Sequence, residues 1–215
     1  MNTTFGEAPR TVSIGILGTG NISAALGEIW AARGHTVVFG GRSPSAARLL
    51  ASRIGRKASG GSLEDAVTAA QAVLLAIPWI SIDDVLDQIG VASGALSSTT
   101  VIDPTNPVEH AVGQHLLCHG SSAEHIASRA RNAHVVKAFN VHPASYWQSA
   151  HADDVVTLAG DDFAALDLVA GLVRDTGATP YVLGGLARAR QIEELAGTVI
   201  ALGFNGVNPR SALPR

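Results

Sequence analysis

Gly18-Thr19-Gly20 and, one strand further on, Arg42-Ser43 are the residues whose types and spacing point to a specific chemistry. Glycine at 18 frees the backbone from side-chain constraint, and glycine at 20 lets the main chain approach a pyrophosphate. A helix opening at Asn21 and Ile22 would aim unpaired N–H groups and its positive dipole end at the same phosphates. The third small position of the fingerprint is Ser23, so the string reads G-x-G-x-x-S. After the second strand an acid would bind a ribose 2′-hydroxyl, but the chain has Gly40, Gly41 and Arg42 there. Arg42 with Ser43 can hold a 2′-phosphate through charge-assisted hydrogen bonds, which favours NADP over NAD.

A second group of reactive types lies at 140–147. Asn140, His142, Tyr146 and Trp147 combine polar contacts with flat stacking surfaces suited to a small substrate. His142 is the one candidate for a catalytic acid; the plainer reading is a loop histidine capping backbone groups before Pro143. Asn140 equally fixes a turn through its own backbone contacts. Lys137 follows two valines on a strand, so it faces a cleft or pairs with a carboxylate, and the pattern does not choose. His115, Cys118 and His119, at i, i+3 and i+4, could share a helix face and present metal ligands. No C-x-x-C motif accompanies them, so the expectation is a solvated histidine-rich loop and no metal. Asp153, Asp154, Asp161 and Asp162 fall where turn and helix-dipole preferences explain them. Glu193 and Glu194, after Arg188 and Arg190, are expected on an exposed helix face with i, i+4 ion pairs.

The elements that must position these residues alternate. Residues 12–17 form an apolar run of β type, 24–32 carry a helical pattern of Leu26, Ile29 and Trp30, and 35–39 read as the next strand. Pro44 opens a helix to about 54. A short strand follows near 57–58, and Ser62 with Asp65 caps a helix to about 70. Strands at 72–77, 99–103 and 134–139 are separated by helices at 82–89 and 121–131. Such alternation predicts an α/β fold, a Rossmann-type doubly wound parallel sheet with a small C-terminal lobe. Residues 1–145 would form the dinucleotide-binding domain. Residues 146–215, with strands at 155–158 and 179–183 and helices at 162–176 and 187–202, would extend the sheet or form a small lobe. The apolar stretch 195–204 suits packing in that lobe or the interface of a homodimer.

Composition bounds the function classes. Of 215 residues, 47% are hydrophobic and 15% charged, as expected where helices cover both faces of a parallel sheet. A net charge of −3 and no basic stripe with interleaved aromatics argue against a nucleic-acid partner. The single cysteine, Cys118, allows no internal disulfide and suits a reducing compartment. Residues 1–10 lack an apolar signal core, and the longest apolar run, near 72–80, is broken by Pro78 and falls short of the roughly 20 residues a membrane helix needs. A soluble, cytoplasmic protein with no membrane partner is expected.

Read in order, several motifs become specific together: 15–22 (GILGTGNI), 41–44 (GRSP), 75–79 (LAIPW), 101–107 (VIDPTNP), 136–140 (VKAFN) and 158–162 (LAGDD). Together they resemble the NADPH-dependent coenzyme F420 reductase (F420:NADP oxidoreductase) family over about 13–204. Relatives of that family include the cytoplasmic domain of ferric reductases. The chain departs from the family at Ser23, where glycine is usual, and at Gly41, often serine. The resemblance implies that Gly18, Thr19, Gly20, Asn21 and Ile22 wrap the pyrophosphate and that Arg42 and Ser43 meet the 2′-phosphate. It implies that Ile77 and Pro78 border the cofactor at the topological switch point and that Asn106 lies near the nicotinamide half. Asn140, His142 and Tyr146 are the positions expected to meet the second substrate. The implied activity is hydride transfer between NADPH and the deazaflavin coenzyme F420. Reduction of another small acceptor (a flavin, ketone or imine) and a non-catalytic NADP(H)-binding sensor are the alternatives.

Overall fold

Ala72–Leu75 (β4) and Thr100–Asp103 (β5) are buried at every position, and Ser13–Leu17 (β1) at all but its first. A strand without polar alternation must sit between two covering layers, and a doubly wound sheet provides them. A computed structural model describes residues 11–149 and 153–212. The other strands are Thr36–Gly40 (β2), Ala58–Gly61 (β3), His134–Lys137 (β6), Val155–Gly160 (β7) and Thr179–Gly184 (β8). All eight join one sheet in the order β3-β2-β1-β4-β5-β6-β7-β8. Pairing is parallel except between β6 and β7, which meet antiparallel at Val136↔Gly160 and Lys137↔Ala159. The order reverses beside β1, whose neighbours are β2 and β4. That point opens a crevice at the carboxyl ends of the strands, where ligands of such sheets bind. Among the described residues β7 and β8 therefore extend the sheet.

On one face pack Asn21–Ala32 (α1), Pro44–Ile54 (α2) and Phe163–Asp175 (α6), burying Leu26, Trp30, Ala47, Ala51, Val169 and Leu172 among others. Trp30 ties this layer together. Its Nε1 donates to Leu172 O at 3.1 Å, and its ring meets Phe139 edge-on at 5.7 Å. His35 does the same at the sheet's lower edge, accepting from Val12 N at 3.0 Å and meeting Asp175 at 2.8 Å. On the other face lie Leu63–Val67 (α3), Ile82–Gln88 (α4), Ser122–Arg129 (α5) and Ala189–Phe204 (α7). Burial of each leucine- or isoleucine-sized side chain between these layers contributes about 1.5–3 kcal/mol.

Local signals set the boundaries. Ser62 and Asp65 form a reciprocal capping box on α3, but the helix ends at Val67 because Thr68 turns extended. Pro78 stops β4 early, and Asp162 caps α6 through Ala165 N. Residues 115–119 are a loop, as expected, so no helix face aligns His115, Cys118 and His119. His115 instead bridges Val108 in an extended loop, and Gly113 and Gly120, both with positive φ, bracket the segment.

Candidate functional site

The glycine turn forms because only glycine fits it. Gly18 has φ +121°, and a Cβ there would lie 2.1 Å from Ala76 O. Its N–H donates to Gly40 O at 2.7 Å, fastening the end of β1 to the end of β2. Gly20 shows the opposite geometry: a Cβ there would meet nothing within 4 Å. Gly20 also caps α1 with no side-chain hydrogen bond and no acid in the helix's first turn, so the first N–H groups and the dipole are left for a ligand.

Gly18, Thr19, Gly20, Gly41, Arg42, Ser43, Ala76, Ile77 and Pro78 converge on one cavity of about 300 Å³ at the switch point. That is the lower end of the range for small-molecule sites. The sequence reading placed seven of these residues there. It did not place Leu63, Ser81 and Val85, which complete the far wall. The capping box before Leu63 and the helix period through Val85 were visible, but neither says which helix end faces a crevice. Arg42 is exposed and makes no hydrogen bond or ion pair with a described residue. The Ser43 hydroxyl accepts from Ala46 N at 3.4 Å and lies 2.9 Å from Ser45 Oγ. The residues fit a dinucleotide: an open backbone cradle and a helix N-terminus stand beside a free guanidinium at the end of β2.

Asn21 and Ile22 belong to the first turn of α1; Ile22 packs into the core. Asn106 stands off the cavity wall, beyond the end of β5, the strand next to β4. Its Nδ2 donates to Asn140 O at 2.7 Å, and Asn140 Nδ2 returns a bond to Asn106 Oδ1 at 2.9 Å. Asn140 Nδ2 also donates to Ile192 O at 3.3 Å, while its buried Oδ1 has no partner.

His142 is not among the residues that line the cavity. Its Nε2 donates to Val155 O at 3.4 Å, and its ring stacks on Tyr146 at 4.0 Å, with 10° between the planes. Burial lowers the His142 pKa from its ordinary value and raises that of Tyr146. Trp147, expected as a stacking surface, is 2% exposed and packs against Phe139 in the core. The cavity beside Asn140 and His142 holds about 10 Å³, about one water.

Two charged positions are corrected. Glu194 pairs with Arg190 at 2.8 Å as expected, but Glu193 is fully buried. His115 is no solvated loop histidine: its Nε2 lies 2.8 Å from Glu193 Oε2 and its Nδ1 accepts from Leu117 N at 3.2 Å. Lys137 takes the second of its two alternatives and pairs with carboxylates, 3.0 Å from Asp103 and 2.8 Å from Glu193. Among the described residues no group of three His, Cys, Asp or Glu side chains is placed to hold a metal ion.

The chain is similar to several known proteins. Residues 13–107 match the family described as NADP oxidoreductase coenzyme F420-dependent. The metalloreductase STEAP3 of Rattus norvegicus is 31% identical over 194 residues, 88% of this chain. The matched region spans only 36% of that longer protein. A proposed F420-dependent NADP reductase of Arthrobacter sp. FB24 has the same fold, with a TM-score of 0.80 and 26% identity over 92% of this chain and 96% of that one. A hypothetical protein of Sinorhizobium meliloti gives 0.72 and 29% over 83% and 88%. The reductive aminase of Aspergillus terreus, solved with NADPH and ethyl levulinate, shares the fold at a TM-score of 0.62 and 19% identity, over 87% of this chain and 60% of that one.

Proposed function

We propose, for a chain whose residues 13–107 carry a domain of the F420-dependent NADP oxidoreductase family, that the switch-point cavity binds NADP(H) and that the protein moves a hydride between NADPH and coenzyme F420. The observation that carries the reading is the convergence of Gly18, Gly20 and Arg42 on one cavity, with Arg42 free to meet a 2′-phosphate. Gly18, Thr19, Gly20 and the first turn of α1 at Asn21 and Ile22 would hold the pyrophosphate. Ile77 and Pro78 would wall the cofactor's far half, and Asn106 would stand beside its nicotinamide. When bound, the reduced nicotinamide supplies the hydride; the chain supplies orientation and a dry surface.

No dedicated acid is needed in this reading, because ring-to-ring hydride transfer depends mainly on alignment. His142 is a poor acid here, since burial favours its neutral form. Asn140, with an unpaired buried acceptor, is the better contact for the second substrate. Tyr146, half-buried with its ring stacked on His142, stays a candidate. A second copy of the chain against Leu195, Phe204 and Val207 belongs to the same reading, since all three are exposed at 39% or more.

The test is a screen of F420, flavins, ketones, imines and ferric chelates with NADPH and NADH. Bleaching of the F420 visible band at a rate on the order of 1 per second or faster supports the reading. Turnover with another acceptor but not F420 moves the assignment to that acceptor, which the reductive-aminase fold and the metalloreductase relative make the main alternative. Tight NADPH binding with no turnover on any acceptor leaves a sensor.

A further inference from the structure

The feature left without a task is the buried charge cluster where β5, β6, α5 and α7 meet. Lys137, Asp103, Glu193 and Ser122 are all fully buried. Lys137 Nζ donates to Asp103 Oδ2 at 3.0 Å, Ser122 Oγ at 2.9 Å and Glu193 Oε1 at 2.8 Å. Its remaining contact is the backbone carbonyl of Thr105. Ser122 Oγ lies 2.5 Å from Asp103 Oδ2 and 2.7 Å from Glu193 Oε1.

Docking α7 does not require this arrangement. Ala189, Ile192 and Ala196 already bury an apolar face of the helix, and well-packed hydrophobic residues usually do as well as a buried ion pair or better. What the cluster adds is geometry, and its contacts converge on one turn, at Thr105. Asp103 Oδ1 accepts from both Thr105 N at 2.8 Å and Thr105 Oγ1 at 2.7 Å, while Lys137 holds the Thr105 carbonyl. The next residue is Asn106, locked in turn to Asn140, and Asn140 reaches back to Ile192, the neighbour of Glu193.

The structure assigns Lys137 and Glu193 as positioning residues that fix the Thr105–Asn106 turn and Asn140 beside the nicotinamide end of the cleft. Through Glu193, α7 becomes part of the site although none of its side chains lines the cavity. The assignment rests on the cofactor reading above. It separates the two halves of the ligand: the adenine and phosphate half would sit on β1, β2 and α1, whose described residues make no hydrogen bond or ion pair with the cluster, and the nicotinamide half would depend on it.

The test uses the intact chain with Glu193→Gln, which keeps the side chain's shape, and Thr105→Val, which leaves the ion pairs in place and removes the hydroxyl that Asp103 holds. Affinity for NADPH and for adenosine 2′,5′-bisphosphate, which lacks the nicotinamide, is measured by calorimetry. Turnover is measured with the acceptor that the wild type reduces best. Both variants should hold the bisphosphate within about twofold of wild type while kcat falls about 10- to 100-fold, the scale of a misplaced reacting group. Unchanged kcat in both, or an equal loss of affinity for both ligands, overturns the assignment. Should Glu193→Gln fail to fold, Thr105→Val alone decides. A wild type that binds neither ligand refutes the cofactor reading directly, and this inference with it.

Discussion

At the scale of single residues, Arg42 and Glu193 show how far local pattern reaches. Arg42's place on the cavity wall was legible because it depends only on where the residue stands, at the end of the second strand after a glycine turn. Replacing it with alanine should raise KM for NADPH about 10-fold or more and leave KM for NADH nearly unchanged, since a hydrogen bond to a charged group contributes about 1.5–3 kcal/mol. An equal effect on both cofactors in steady-state assays would remove the 2′-phosphate assignment. Glu193 was misread because its partners are distant in sequence: Ser122 lies 71 positions away. A signal was present nonetheless. Ile192 and Ala196 define the buried face of α7, and Glu193 falls on that face at helical spacing. The pairing with Arg190 that Glu194 makes drew its neighbour into the same reading. His142 yields a pH prediction of its own. Burial lowers its pKa in the folded state below the ordinary 6.5. On acidification the unfolded chain therefore takes up this proton first. The histidine's contribution to stability is complete above that ordinary value and is lost as pH falls through the lowered one. Thermal midpoints recorded from about pH 7 to about pH 5 should decline less steeply for His142→Gln than for wild type; parallel curves would remove the role.

Elements were read more securely than single contacts. Caps, prolines and apolar periods are short-range, so α2, α4 and α6 fall within a residue or two of expectation, and Ser62 with Asp65 forms the box their spacing implied. The loop at 115–119, the expected form, has a physical cause. Three potential ligands at helical spacing do not make a helix where no apolar face or cap supports one and glycines flank the segment. Packing between elements was the illegible part, as with the wall formed by Leu63, Ser81 and Val85. Trp30 is the clearest inter-element anchor, joining α1 to α6 through Leu172 O. Trp30→Phe keeps most of the packing but strands that buried carbonyl, at a cost of about 1–3 kcal/mol. Urea denaturation should show a lower midpoint with an unchanged slope, and an unchanged midpoint would mean the hydrogen bond contributes nothing net.

Over the whole molecule the fold class followed from strand–helix alternation, while the antiparallel step from β6 to β7 did not, because pairing direction beyond the parallel core leaves no mark on local sequence. The result is one continuous sheet whose C-terminal helix returns to the carboxyl ends of β5 and β6. Among the described residues no helix is long and apolar enough to cross a membrane. The second copy proposed above would meet exposed Leu195, Phe204 and Val207. Light scattering should then give twice the 22.1 kDa chain mass, and Phe204→Asp should return a monomer; a monomeric wild type would dismiss the dimer. The central claim is that the cleft at the reversal of strand order is built for a 2′-phosphorylated dinucleotide, and the most direct measurement is a titration of the wild-type protein with NADPH and, separately, NADH, following bound-cofactor fluorescence. The account predicts saturable binding of both at one site, with NADPH about 10- to 100-fold tighter, from one or two charge-assisted contacts to the 2′-phosphate. Equal affinities, tighter NADH, or no binding of either would contradict it.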